Sequence, residues 1–211
     1  MNPPIDISEE AGVRYLHFGS DWIQGAMRIR KPHALELAYT REMMAGLLLR
    51  DGLAADGAHW PHKVLIIGLG AASLVRFVHH HLPQAKSRVV EIAPAVVAAA
   101  RQFFKLPAED ARFSVHIGCG AQFVLEHDET WDYVLIDGFD RNARAGVIDT
   151  EPFHQAVRAR LSARGIMAVN LFGRSRGYKT SLERIVRAYD DRAIAFPSCD
   201  SGNVVAFGAA G

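Results

Sequence analysis

Cysteines and long apolar runs are both scarce in this chain. Only two cysteines occur in 211 residues, Cys119 and Cys199, and neither a disulfide framework nor a zinc site follows from such a pair. The longest nearly apolar run, residues 64–75, contains two glycines and a serine. It is shorter than the roughly 20 residues that a membrane-spanning helix needs. We therefore expect no membrane partner, and a reducing, cytoplasmic location.

The chain also lacks a secretory signal pattern and an excess of one charge. Its first residues show no basic segment followed by an apolar one. The 24 Lys and Arg nearly balance the 23 Asp and Glu, for a net charge of +1, so no nucleic acid partner is expected. Residues 141–192 are the exception, with eleven Lys or Arg against five Asp or Glu, which disfavours a cationic ligand near that segment.

Apolar residues at 49% and charged residues at 22% are typical of a globular domain. From residue 63, short apolar runs alternate with amphipathic segments. This predicts an α/β, Rossmann-like fold with a mostly parallel sheet and helices on both faces. Strands are predicted at 64–67, 88–91, 113–117, 133–136 and 165–170, helices at 73–82, 94–104, 121–126, 150–161 and 179–189, and a closing antiparallel hairpin at 193–196 and 203–207.

The first sixty residues differ from the rest. Two β-prone runs, 13–18 and 22–29, predict a hairpin, and an apolar stripe over 39–50 predicts a helix. We therefore divide the chain into residues 1–60, a short hairpin and helix, and residues 61–211, the α/β domain. An isolated hairpin is too small to be stable, so we expect it to pack on the body or to pair in a homodimer. Trp22 is then either a core residue or an oligomer contact.

Special residues follow several predicted strands. The first strand ends in Gly68 and Gly70, which allow close approach of a ligand to the backbone, and the second ends in Glu91. Glu91 lies 21 residues after Gly70, the spacing of an acid that binds ribose hydroxyls. Cys119 follows the third strand, and Asp137 and Asp140 follow the fourth. Because ligands of such sheets bind at the carboxyl ends of the strands, these residues predict a nucleotide-type site.

Simpler interpretations stay open for each of these residues. Glu91 could be a solvated acid at the end of a strand, and Asp137 and Asp140 could cap a loop. Cys119 could be a small buried hydrophobe. The three consecutive histidines, 79–81, lie on one predicted helix and face different directions, so no metal site is expected from them.

Three segments carry a family resemblance: VLIIGLG at 64–70, VVEIAPAVV at 89–97 and WDYVLIDGFD at 131–140. They resemble the spermidine synthase (polyamine aminopropyltransferase) family, over most of residues 63–170. The front hairpin with Gln24, together with YTRE at 39–42, is similar to a shortened form of that family's N-terminal β-domain. The resemblance implies the core of S-adenosylmethionine-dependent methyltransferases, and transfer of an aminopropyl group from decarboxylated S-adenosylmethionine to putrescine.

The resemblance also assigns site residues. It implies that Asp140 is the catalytic aspartate and Asp137 its neighbour in a D-x-x-D segment, and that Glu91 binds ribose. The nucleoside would contact Gly68, Gly70, Glu91, Ile92, Cys119, Gly120 and Asp137.

The chain departs from the family pattern at four positions. Ala71, Ala93 and Cys119 stand where the family has acids, and Arg141 stands where it has a proline after the catalytic aspartate. The dication putrescine needs compensating carboxylates when it is buried, so these changes disfavour it as the acceptor.

Three functions remain candidates on the sequence. The first is a spermidine synthase-like protein that binds a nucleoside derived from S-adenosylmethionine and transfers an aminopropyl group to an amine. The second is a methyltransferase acting on a small molecule, and the third is a nucleoside-binding homologue without turnover. We expect no permanently bound cofactor; decarboxylated S-adenosylmethionine or S-adenosylmethionine would be a co-substrate, together with a small acceptor.

Overall fold

The computed structural model describes residues 4–49, 60–138, 146–199 and 202–211. Within these ranges it contains ten strands, six α-helices and two short 3-10 helices. The strands are β1 (Asp6–Glu10), β2 (Val13–His17), β3 (Ile23–Arg28), β4 (Lys63–Ile67), β5 (Lys86–Glu91), β6 (Phe113–Ile117), β7 (Trp131–Ile136), β8 (Leu161–Phe172), β9 (Ala193–Ala195) and β10 (Asn203–Ala209). The α-helices are α1 (Ala38–Met44), α2 (Ser73–His81), α3 (Pro94–Phe103), α4 (Gly120–Glu126), α5 (Glu151–Ala159) and α6 (Tyr178–Ala188), and the 3-10 helices are Ala45–Leu48 and Gly146–Asp149.

A seven-stranded sheet forms the body, in the order β6-β5-β4-β7-β8-β10-β9. Strands β4 to β8 run parallel to one another, whereas β10 runs antiparallel to β8 and β9. The predicted α/β fold, with its closing antiparallel hairpin, is therefore confirmed. Strand β8 is longer than predicted, because it pairs along its length with β7 on one side and β10 on the other.

Helices cover both faces of this sheet, and alternate residues of each strand face the two layers. In β4, Val64 and Ile66 pack with α1, α2 and α3, whereas Leu65 and Ile67 pack with α4, α5 and α6. All four side chains are at most 3% exposed. A strand that is buried on both faces reads as a continuous apolar run, which is the pattern of residues 64–67.

The front of the chain forms a three-stranded antiparallel sheet in the order β1-β2-β3. The predicted hairpin is confirmed as β2 and β3. Strand β1, with the sequence DISEE, was not predicted, because its mostly exposed acidic residues show no apolar alternation. Leu16 and Met27 of this sheet share a core with Val64 of the body. The division into two domains stays a prediction.

No helix in the described ranges is long and apolar enough to cross a membrane.

Candidate functional site

A tight glycine turn, residues 68–72, joins β4 to α2 at the carboxyl edge of the sheet. Gly68 has a φ of +94°, and its N–H donates to the carbonyl of Val90 at 2.9 Å. A Cβ on Gly68 would lie 2.1 Å from the carbonyl oxygen of Asp137. Any side chain at this position would therefore push the ends of β4 and β7 apart, so the sequence requires glycine here.

The glycine turn is also covered by the front sheet. A Cβ on Gly70 would lie 3.4 Å from the carbonyl oxygen of Gln24, and one on Gly25 would lie 2.6 Å from the Cβ of Ala71. Ala71, at one of the family's acidic positions, is 3% exposed. Strand β3 therefore covers one side of the glycine turn at the carboxyl edge of the sheet, where ligands of such folds bind; we call this edge the crevice.

Glu91 ends β5 with its carboxylate turned towards the glycine turn. One carboxylate oxygen accepts from the N–H of Leu69 at 2.9 Å, and the other accepts from the N–H of Ala93 at 2.8 Å. Burial raises the pKa of Glu91, and the backbone hydrogen bonds oppose that rise. Each oxygen has a further lone pair, so the carboxylate can accept from ligand hydroxyls as well.

The rim beyond Glu91 is largely apolar. Ile92 is 70% exposed and Ile117, at the end of β6, is 53% exposed, both large for branched apolar side chains. The half-buried, free thiol of Cys119 precedes α4. A Cβ on Gly120 would lie 2.4 Å from Ile67, so glycine lets the start of α4 approach β4. An exposed apolar rim of this kind suits the flat face of a base.

Asp137 follows β7 on the other side of the glycine turn. Its N–H donates to the carbonyl of Ile67 at 2.8 Å, and its carboxylate accepts from the Tyr39 hydroxyl at 3.0 Å and the Asn170 amide at 2.9 Å. Burial raises the pKa of Asp137, and these two side-chain hydrogen bonds lower it. Burial also holds the pKa of Tyr39 well above its usual value, so its hydroxyl stays protonated and donates.

Tyr39, Asn170 and Asn203 were not predicted to lie at the site, and the structure places them around Asp137. The amide of Asn203 in β10 donates to Asn170 at 2.9 Å, and Asn170 in turn donates to Asp137. Asn170 ends the strand predicted at 165–170, so a polar residue at the carboxyl end of a central strand was an available signal. Asn203 carried no such signal, since its role depends on the pairing of β10 with β8.

The predicted site residues in the described ranges all lie at this carboxyl edge: Gly68, Gly70, Glu91, Ile92, Cys119, Gly120 and Asp137. Their roles stay predictions. Asp140, the predicted catalytic aspartate, lies outside the described residues, as do Arg141 and Arg144.

Several cations of residues 141–192 form ion pairs. In the described part of this segment, Arg158 and Arg192 pair with Asp190, Arg160 with Asp128, Arg184 with Asp149, and Arg187 with Glu151. Of these acids only Asp128 lies outside residues 141–192, so the ion pairs leave most of the net positive charge of the segment in place.

The fold and the topology define an α/β protein of the S-adenosylmethionine-dependent methyltransferase type. The family model described as Spermine/spermidine synthase domain matches residues 38–171, and the chain belongs to that family. The polyamine aminopropyltransferase of Chromobacterium violaceum is 37% identical over 202 residues, which cover 96% of this chain and 74% of that protein.

Two solved structures support the fold. The crystal structure of human methyltransferase-like protein 13 in complex with SAH has a TM-score of 0.72 and 25% identity, covering 82% of each chain. A probable spermidine synthase from Corynebacterium glutamicum has a TM-score of 0.76 and covers 97% of this chain and 76% of its own. At 19% identity, the second likeness concerns the fold alone.

Proposed function

We propose that the crevice binds the nucleoside of an S-adenosylmethionine-type donor, and that the protein transfers an aminopropyl group from decarboxylated S-adenosylmethionine to a small amine. The observation that carries the proposal is the pair of carboxylates, Glu91 and Asp137, on either side of the glycine turn. Membership of the spermine/spermidine synthase family supports the same reaction type.

The donor would lie across the carboxyl ends of β6, β5, β4 and β7. Glu91 would accept hydrogen bonds from the ribose hydroxyls, because a carboxylate can accept from both. The adenine would lie against Ile92, near Cys119 and Gly120, and the positively charged end of the donor would face Asp137. Charge complementarity favours this direction, since Asp137 is the carboxylate on the β7 side of the glycine turn.

The reaction would be a displacement at the carbon next to the sulfonium. The amine nitrogen forms the new C–N bond, the C–S bond breaks, and methylthioadenosine leaves with the electron pair. The amine must lose a proton, and Asp140 is the proposed acceptor, a role that typically contributes about 10²–10⁴-fold.

Product analysis tests this proposal. The protein is incubated with decarboxylated S-adenosylmethionine and a panel of amines, and methylthioadenosine is quantified by mass spectrometry. The Asp140→Asn variant should lower turnover by about two to four orders of magnitude and leave nucleoside affinity nearly intact. If Asp140 only caps its loop, the variant should lose about 1 kcal/mol of stability and retain its turnover.

Methyl transfer is the second candidate. The alanines at 71 and 93 and Cys119 remove acids that a dicationic acceptor would need, and the likeness to methyltransferase-like protein 13 extends over 82% of the chain. S-adenosylhomocysteine as the product would favour methyl transfer over aminopropyl transfer. Binding of nucleoside without either product would favour a homologue without turnover. We expect weak or no turnover with putrescine; a rate on the order of 10 s⁻¹ would contradict that expectation.

We also propose that the protein is a homodimer in the cytoplasm. Trp22 and Ile23 in the front sheet are 54% and 49% exposed, an apolar surface that a second copy could cover. The chain has only two cysteines, which agrees with a reducing compartment. Sedimentation at micromolar concentration should give the mass of a dimer, and a monomer would contradict the proposal.

A further inference from the structure

Three side chains from distant parts of the sequence form a hydrogen-bonded chain that ends at Asp137. Asn203 in β10 donates to Asn170 in β8 at 2.9 Å, and Asn170 donates to Asp137 after β7 at 2.9 Å. Asn170 lies opposite Val205 in the β8–β10 pair, so Asn203 is its diagonal neighbour on the same face. The chain therefore crosses three adjacent strands of the sheet.

The direction of this chain decides which end of the Asn170 amide faces Asp137. An asparagine amide can present either its oxygen or its NH₂ group to a neighbour. The NH₂ of Asn203 occupies the oxygen of Asn170, which leaves the NH₂ of Asn170 for Asp137. If Asn170 were reversed, its oxygen would face the carboxylate, an arrangement that only a protonated Asp137 could satisfy.

The ionisation of Asp137 depends on a balance of opposing effects. Burial favours the neutral acid, and the hydrogen bonds from Asn170 and Tyr39 favour the carboxylate. Among the described residues, the titratable groups that face this carboxylate from the packed elements are Tyr39 from α1 and, beside Tyr39, Cys199 from the turn before β10. Strands β8 and β10 contribute amides, and the glycine turn contributes backbone.

We propose that Asn170 and Asn203 are positioning residues, which keep Asp137 ionised and oriented towards the cationic end of the donor. This inference rests on the proposed function, because it assumes a sulfonium ligand in the crevice. Asn203 need not touch the ligand and acts through Asn170. The first residue of β10 thereby affects how well the site distinguishes a charged ligand from a neutral one.

The proposal can be tested by reversing the direction of the hydrogen bonds that run from Asn203 through Asn170 to Asp137, with little change in the shape of the side chains. The Asn203→Asp variant introduces a carboxylate that can only accept, so Asn170 must turn its NH₂ towards β10 and its oxygen towards Asp137. Asn203→Ala removes the donor and leaves Asn170 free to adopt either orientation. Ser198→Ala, at an exposed position between β9 and β10, is the matched control.

Calorimetry should compare S-adenosylmethionine, a sulfonium, with methylthioadenosine, which carries no charge at sulfur. Near neutral pH, the affinity for S-adenosylmethionine should fall about tenfold in Asn203→Asp and about threefold in Asn203→Ala. The affinity for methylthioadenosine should be the same as in the wild type. The pH below which S-adenosylmethionine affinity falls should rise by about one unit in Asn203→Asp. Equal weakening of both ligands, or of neither, would overturn the proposal.

A second measurement does not depend on any ligand. Carbon NMR of labelled aspartate, with the Asp137 signal assigned from Asp137→Asn, reports the ionisation of this carboxyl directly. Its midpoint should rise by about one pH unit in Asn203→Asp and stay constant in Ser198→Ala. An unchanged midpoint would refute the positioning role even if both ligands bind. If the wild type binds neither ligand, the proposed function fails, and the NMR shift still decides whether the amide chain controls Asp137.

Discussion

Glu91 and Asp137 lie on either side of the same glycine turn, yet the protein holds the two carboxylates by different means. Glu91 accepts from two backbone N–H groups, those of Leu69 and Ala93. Asp137 accepts from two side chains, those of Tyr39 and Asn170. We call these the β5 half and the β7 half of the crevice.

The two halves differ in how they respond to amino-acid substitutions. Backbone donors persist whatever side chain stands at their positions, so the β5 half depends mainly on the shape of the glycine turn. Side-chain donors disappear with a single substitution, so the β7 half depends on α1, β8 and β10 together. We therefore expect the β5 half to set nucleoside affinity and the β7 half to set selectivity for charge.

The largest expected effect is at Gly68, which joins the two halves. Gly68→Ala places a Cβ 2.1 Å from the Asp137 carbonyl oxygen at a φ of +94°. Strain and overpacking together should cost about 3 kcal/mol or more, measured by urea unfolding. Gly12→Ala is the matched control, because Gly12 has a φ of +77° with open space around its Cβ position. Similar losses of unfolding free energy in both variants would show that backbone strain, and not overpacking, causes the loss.

Glu91→Gln should have the next largest effect, and it concerns ligand binding by the β5 half. The glutamine NH₂ would face one of the two backbone N–H groups, and a charged acceptor for the ribose would be lost. We expect nucleoside affinity to fall by about 2 kcal/mol, equally for methylthioadenosine and S-adenosylmethionine. Glu126→Gln, on the exposed side of α4, should leave both affinities unchanged. Unchanged affinity in Glu91→Gln would remove the end of β5 from the site.

Asp137→Asn should alter the β7 half alone. The substitution keeps the shape and removes the negative charge, so S-adenosylmethionine should bind about tenfold more weakly, or about 1.4 kcal/mol, in calorimetry. Methylthioadenosine should bind nearly as before. Asp132→Asn, at the other end of β7, can affect stability but should not change this selectivity. A parallel loss for both ligands in Asp137→Asn would show that the two halves act as one.

The smallest expected effect is on the pH dependence of stability, and it comes from a histidine outside the crevice. His154 in α5 is fully buried, and neither ring nitrogen has a partner among the described residues. Burial, with the charge of Arg184, lowers the pKa of His154 to about 4.

The unfolded chain then takes up a proton at His154 more readily than the folded one. The contribution of His154 to the free energy of unfolding is fully present above about pH 6.5, and it is lost as the pH falls towards 4. At about pH 5.5 the loss should be about 1 kcal/mol relative to pH 8, and His154→Phe should abolish this difference in urea unfolding. The same pH dependence in His154→Phe would assign it to other groups.

The body of the fold could be predicted from the sequence because its signals are local. The run at 64–67 and the glycines at 68 and 70 specify a buried strand and a tight turn within a few residues. Glu91 was predicted for the same reason, since it follows a strand at a spacing set by one βαβ unit. Strand β1 was missed because its exposed acidic residues show no apolar pattern.

The β7 half could not be predicted in the same way. Its donors come from positions 39, 170 and 203, and no local pattern relates three residues so far apart in the chain. Trp22 could likewise not be placed from the sequence; it is exposed and its ring lies 5.9 Å from that of Phe172, a contact made only when β3 reaches the end of β8.

The sequence by itself determined the strand and helix alternation, the glycine turn and the position of Glu91, because these follow from the conformational preferences and burial of neighbouring residues. Only the tertiary structure decided that Asn203 donates to Asn170 and that Asn170 donates to Asp137. It also decided that the Tyr39 hydroxyl donates to the same carboxylate. The physical reason is that the ionisation of a buried carboxyl depends on the donors around it, and only the pairing of β10 with β8 and the packing of α1 bring those donors within hydrogen-bonding distance.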